Sequence, residues 1–171
     1  MSDISEIDKN ETIAENSPIT IEQAVELIQN GASIGSLIGF DKKRLELLYA
    51  IAYSLYNSGK FDDAAKVFRA LCVYDGTQVR FWLGLGGSLQ QLGKYESASE
   101  VYAMGSTMSG LKDPEPMFYA AQCFLKLKRR DDAINTLKFI EIMGRDGNLH
   151  DEEFKKKAKD LIETLEALAQ K

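Results

Sequence analysis

The sequence predicts an all-α solenoid of stacked helix pairs, and three observations carry that prediction. The chain repeats itself at a fixed spacing, its periodic apolar segments have the helical period, and two of the copies share a glycine turn. The repeat shows when SGKFDDAAKVFRAL (58–71) is laid over LGKYESASEVYAMG (92–105). Gly59 then falls on Gly93, Phe61 on Tyr95, Ala64 on Ala98 and Phe68 on Tyr102, each pair 34 residues apart. The preceding helices match too. Trp82, Leu85, Gly86 and Leu89 stand one period after Leu48, Ile51, Ala52 and Leu55.

A period of about 34 residues with tryptophan, leucine and glycine at these offsets is that of the tetratricopeptide repeat. A third, weaker copy covers 114–147, with Ala120, Ala121 and Phe124 in its first helix and Ala133, Leu137 and Ile140 in its second. Ala98 and Ala133 are 35 apart, which places a one-residue insertion in LKDPEP (111–116). Lys128 stands where the turn glycine is expected, marking this copy as the atypical terminal one. The repeats are expected at about 45–78, 79–112 and 114–147, and three is the minimum for a stable stack. Helices are predicted over 42–58, 61–74, 78–92, 95–108, 114–127 and 130–143. Ala64, Gly86, Ala98, Ala121 and Ala133 are the small residues expected where two helices touch, with Phe68, Trp82 and Tyr102 filling the adjacent holes. The glycines of SGKF and LGKY end a helix where positive φ is commonly required.

The ends differ from the repeats. Residues 1–18 are acidic and lack apolar periodicity, which predicts disorder. Pro18 and Thr20 open an N-terminal helical extension over 19–41, Thr20 and Gln23 forming a capping box. Its apolar face is Ile21, Ala24, Val25 and Ile28, and the glycine-punctuated stretch 32–40 is expected to pack on the first repeat. Residues 148–171 read as an amphipathic helix capping the solenoid, with apolar residues at 154, 158, 161, 165, 168 and 169.

Composition narrows the function. The chain has 171 residues and a mass of 19.1 kDa, enough for one domain with an adequate core. A net charge of −5 and an isoelectric point near 5.0 oppose nucleic-acid binding. No apolar run is long enough for a membrane span, and the N-terminus has no Sec-type signal pattern. Cys72 and Cys123 lie in apolar helical text, as buried inert thiols do, and the single histidine, His150, falls in a polar linker. The pairs Asp62–Asp63 and Asp131–Asp132, and the run 151–153, each begin a predicted helix, where dipole complementarity accounts for them. The glycine-rich run 84–87 has neither the preceding strand nor the lysine of a phosphate loop. No acid–base or metal constellation stands out, so no enzymatic activity, cofactor or metal is expected.

The informative feature is a tyrosine stripe. Tyr49, Tyr53 and Tyr56 recur at i, i+4 and i+7 on a face displaced by roughly 100° from the core stripe Leu48, Ile51, Ala52 and Leu55. In a helical solenoid the first helix of each pair lines the concave surface. Tyrosines there offer flat apolar area with a hydrogen-bonding tip, suited to gripping an extended peptide. The equivalent positions are Leu83, Gly87 and Gln90 in the second repeat and Phe118, Gln122 and Leu125 in the third. Gly87 leaves the groove floor low. The competing reading is that the rings only support segment 20–40.

Over 34–143 the chain resembles a known family. The strings LYAIAYSLYNSGKFDDAAKVFRALCVYD (48–75), RFWLGLGGSLQQLGKYESA (80–98) and KDPEPMFYAAQCFLKL (112–127) are similar to those of the class II chaperones of bacterial type III secretion. The longer acidic N-terminus and Tyr74–Gly76 depart from that pattern. The resemblance implies three repeats and a cytoplasmic, ATP-independent holding role in a Gram-negative bacterium. Its clients would be one or two hydrophobic translocator proteins, bound through an extended segment of the Pro-x-Leu-x-x-Pro kind. Family groove tyrosines match Tyr49, Tyr53 and Tyr56, and several members dimerise through the N-terminal region. The rival class is a generic tetratricopeptide adaptor joining two cytosolic proteins.

Overall fold

The computed structural model describes residues 42–145 and 147–169. The expectations for residues 1–41, including the acidic tail, the capping box and the apolar face of the extension, lie outside the described residues. Within them the chain forms helices α1 (Lys42–Asn57), α2 (Phe61–Tyr74), α3 (Val79–Gln91), α4 (Tyr95–Met108), α5 (Glu115–Lys126), α6 (Arg130–Ile140) and α7 (Leu149–Ala169). No strand occurs among the described residues. Each helix packs on the next in sequence, and the first helices of successive pairs also touch: α1 with α3, α3 with α5, and α5 with α7. This second set of contacts curls the stack so that α1, α3 and α5 form its inner wall. α7 takes the place of the first helix in a fourth pair and closes the stack.

Each pair turns in the same way. Lys60 N–H donates to Leu55 O (2.9 Å) and Gly59 N–H to Tyr56 O (3.0 Å). Lys94 and Gly93 repeat these bonds to Leu89 and Gln90, and Arg129 and Lys128 to Phe124 and Leu125. This pair of hydrogen bonds satisfies helix-end carbonyls and requires a left-handed residue at its centre. Gly59 and Gly93 supply it at φ 75° and 72°, whereas Lys128 is forced to φ 60°. A side chain there costs about 1 kcal/mol relative to glycine. Lys128→Gly is therefore expected to stabilise the protein by up to about 1 kcal/mol, read as a higher midpoint in urea unfolding.

Contact between helices, both within a pair and from one pair to the next, depends on missing side chains. A Cβ on Gly84 would lie 2.3 Å from the Phe68 ring, one on Gly86 2.5 Å from the Tyr102 ring, and one on Gly105 2.7 Å from Trp82 Cβ. These side chains occupy the space a Cβ would take, and Trp82 is further fixed by donating Nε1–H to Gly76 O (2.8 Å). The small residues Ala64, Gly86, Ala98, Ala121 and Ala133 are all buried. Two apolar clusters result. One spans the first two pairs and reaches α5 (Phe68, Leu71, Phe81, Leu85, Tyr102), and the other joins α5 and α6 to α7 (Phe118, Leu137, Ile140, Phe154, Ala158, Ile162).

The structure corrects the sequence reading in places. Ile51, expected in the core stripe, is 44% exposed. Its counterpart Leu85 is buried because α2 covers α3 from the preceding pair, and no described helix precedes α1. Helix α6 ends at Ile140, three residues early, although Met143 still packs in the second cluster. Leu168 lies exposed at the end of α7, while Ile162, absent from the expected apolar face, is buried.

The cap is fastened by one carboxylate. Asp151, in the first turn of α7, is fully buried and accepts hydrogen bonds from Arg145 N (2.8 Å), Nε (2.9 Å) and Nη2 (2.8 Å). Its own N–H donates to Asn148 Oδ1 at 3.1 Å. The Arg145 hydrogen bonds hold the Asp151 carboxyl below the usual aspartate range, against the opposing effect of burial. A depressed carboxylate contributes stability above its unfolded pKa, which is lost as pH falls through the folded one. Asp151→Asn should thus lower the melting temperature by several degrees at neutral pH. That deficit should begin to shrink as pH falls below about 4, where the unfolded chain takes up the proton, and should close only once pH has passed through the lower pKa of the folded carboxyl.

A tyrosine-walled cleft on the inner face

The inner wall opens into a cleft of about 350 Å³ that draws on α1, α3 and α5, with ring contributions from α2 and α4. The helical spacing in LYAIAYSLY puts Tyr49, Tyr53 and Tyr56 along one side of it. Tyr49 and Tyr53 are stacked, with centroids 6.2 Å apart and planes 21° from parallel. Tyr49 is half-buried and fixed from behind by Phe68 (6.0 Å, edge-on) and Phe81 (5.8 Å). Tyr56 stands edge-on to Phe61 at 5.3 Å. Tyr53 is 55% exposed, a large ring offered to solvent at the mouth.

The floor belongs to α3. A Cβ at Gly87 would lie 3.5 Å from the Tyr56 ring, an ordinary contact, so the glycine leaves open space where Gly86 leaves none. Below it Tyr102 donates its hydroxyl to Gln90 Oε1 at 3.0 Å, and burial pushes the Tyr102 phenol up and keeps it a neutral donor. Leu83 supplies apolar area, and Gln90 and Gln91 supply amides able to meet the main chain of an extended peptide.

The cleft is charged at both ends. Arg80 Nη1 donates to Glu46 Oε2 at 3.0 Å and Nη2 to Glu46 Oε1, and the guanidinium lies 4.7 Å from the Tyr49 ring centroid. That hydrogen-bonded pairing holds the Glu46 carboxyl below the ordinary glutamate range. At the α5 end Glu115 accepts a hydrogen bond from Tyr119, and burial holds the Glu115 carboxyl above its ordinary range.

Six of the nine sequence-expected groove residues therefore border this cleft: Tyr49, Tyr53, Tyr56, Leu83, Gly87 and Gln90. The third pair contributes differently. Phe118 is buried in the second cluster, edge-on to Phe154 of α7 at 5.5 Å, because the cap lies against α5. Gln122 and Leu125 are half-buried and do not border the cleft, whereas Glu115 and Tyr119 do. Arg80, Gly84, Gln91, Tyr102, Glu115 and Tyr119 border the cleft without being among the expected groove residues. A signal existed for two of them: Glu46, Arg80 and Glu115 occupy the same repeat position, 34 and 35 residues apart, and alternate in charge.

Nucleophilic chemistry finds no support in the thiols. Both cysteines are buried, and burial pushes the Cys72 thiol up to about 12 and the Cys123 thiol up to about 11. A thiolate at neutral pH is thereby suppressed. No helix among the described residues is long and apolar enough to cross a membrane.

Comparison with known proteins agrees with the repeat fold. A tetratricopeptide-repeat family model matches residues 45–76. The chain is 42% identical over 99 residues to the low calcium response locus protein H of Yersinia pestis, a match covering 58% of each protein. It is 30% identical over 129 residues to the chaperone protein SicA of Salmonella typhimurium, covering 75% of this chain and 77% of SicA. Among solved structures, the type III secretion translocator chaperone SycD of Yersinia enterocolitica superposes with a TM-score of 0.70 at 34% identity, covering 78% of this chain and 98% of SycD. SycD has also been solved with a peptide of the translocator YopD, and the similar PcrH with the chaperone binding regions of PopD and PopB. The repeat pattern, the all-helical stack and these extended similarities together place the chain in the family of tetratricopeptide translocator chaperones of type III secretion.

Proposed function

We propose that this protein is a cytoplasmic holding chaperone for hydrophobic translocators of a type III secretion system, and that the tyrosine-walled cleft is its client site. The observation that carries the reading is the cleft itself: an aromatic wall, a glycine floor and amide-bearing rims, in a chain whose solved relatives hold translocator segments. The work is binding, not bond-making. A translocator exposes apolar segments that aggregate or insert into the wrong membrane. Seating one extended segment in the cleft, with leucine against the rings and main chain against Gln90 and Gln91, stabilises the soluble complex by mass action. Prolines in that segment restrict φ beforehand, so less entropy is lost on docking.

Neither the Pro/Leu character of the segment nor a homodimer through the N-terminal extension has a counterpart among the described residues; both belong to the proposal. Co-expression with type III secretion translocators, followed by purification and identification of the bound polypeptide, tests the reading. A stable complex that loses its client when the cleft is filled is expected. Translocators that stay insoluble in its presence would overturn the chaperone reading.

A further inference from the structure

The residues that link the cap to the cleft form a constellation with the makings of a metal site. Asp113 and Glu115 open α5, and His150 opens α7, 35 residues beyond Glu115. His150 Nε2 lies 3.2 Å from Glu115 Oε2 and 3.9 Å from Asp113 Oδ1, and the three donor atoms all fall within 4.8 Å of one another. Metal–ligand bonds of about 2.0–2.1 Å at tetrahedral angles put neighbouring donors about 3.4 Å apart, between the two observed separations. The third separation, between the two carboxylates, is within 4.8 Å, so closing the set asks for side-chain movements of up to about an ångström.

The donors are also held in place. Asp113 Oδ1 accepts the N–H of Glu115 at 3.0 Å, its own N–H donates to Ser109 Oγ at 3.3 Å, and the His150 ring stands edge-on to Phe154 at 4.9 Å. Arg145, whose charge reaches Asp113, is bound to Asp151 and does not fill the site. Burial, with a smaller contribution from the Asp113 charge, holds the Glu115 carboxyl above its ordinary range, opposed by His150. His150 is half exposed, leaving a path for an ion and a fourth position for water.

We propose that Asp113, Glu115 and His150 bind a divalent transition-metal ion of the zinc class, stapling the capping helix α7 to the cleft-lining helix α5. One imidazole and two carboxylates suit zinc better than calcium or magnesium, which prefer all-oxygen shells. The ordinary alternative is an ion pair between His150 and the two carboxylates with no affinity for metal. The experiment uses the full chain free of any affinity tag, titrated with zinc chloride by calorimetry and by thermal melting. One equivalent should bind, and the melting temperature should rise by about 5 °C at a hundredfold excess over the dissociation constant. His150→Ala and Asp113→Asn should each weaken zinc binding at least tenfold. The side-chain carbonyl that Asp113→Asn introduces can still cap α5, so the melting temperature of that variant without metal should match wild type. Absence of a zinc-dependent shift, or a shift that persists in both variants, would overturn the site.

Discussion

Gly86→Leu is expected to destabilise the protein by about 3 kcal/mol or more, the largest loss among the substitutions considered. The cause is local and geometric. The first atom of any side chain at Gly86 would stand 2.5 Å from the Tyr102 ring, and Tyr102 is only 2% exposed, wedged between α3 and α4. Relief requires moving either the ring or the α3 backbone, and the rest of the leucine adds volume to a filled interface. Leucine's better helix propensity returns somewhat under 1 kcal/mol and does not offset this. The adjacent position is the control. Gly87→Ala meets only ordinary contacts, so it should stabilise the fold by up to about 1 kcal/mol. Urea unfolding of the two variants side by side checks both signs. Equal stability of Gly86→Leu and wild type would show that α3 is rotated from the position described.

That contrast also marks what was legible in the sequence. The repeat period alone identified Gly86, Ala98 and Ala133 as contact points, because steric closeness is the same physical demand in every copy and leaves the same small residue behind. The tyrosine stripe was legible for a related reason: Tyr49, Tyr53 and Tyr56 lie on one helix, and helical periodicity is a local property. The third wall was not. Whether Phe118 or Tyr119 faces the cleft depends on how α5 is turned by the cap packing behind it, and the Phe118–Phe154 contact joins residues 36 apart that no period relates. The Arg145–Asp151 lock was hidden likewise. Helix-start aspartates are ordinarily exposed and serve the dipole, and only the fold shows this one fully buried against an arginine. Ile51 fits the repeat pattern, yet the pattern holds only where a preceding pair exists to cover it.

The second large effect belongs to the cleft. Replacing Tyr53 and Tyr56 together with alanine is expected to weaken translocator binding by about 2–4 kcal/mol, some 30- to 1,000-fold in affinity. This pair is a cleaner probe than one containing Tyr49. Tyr49 packs on Phe68 and Phe81 and carries the Arg80 guanidinium on its face, so its removal would disturb the first core cluster as well. Tyr53 is mostly exposed and Tyr56 stands edge-on to Phe61, while alanine favours the helix. Melting temperatures measured beside the affinities separate loss of binding from loss of fold. Gly87→Ala sharpens the distinction because its two effects have opposite signs: a methyl on the cleft floor should raise stability and lower client affinity. No general unfolding can do both. On the client, removing the proline and leucine anchors of its extended segment should cost a similar amount. Combined with the tyrosine changes the losses should be less than additive, since both delete the same contact. Full additivity would place the segment elsewhere on the solenoid and leave the three rings as supports for the residues that precede α1.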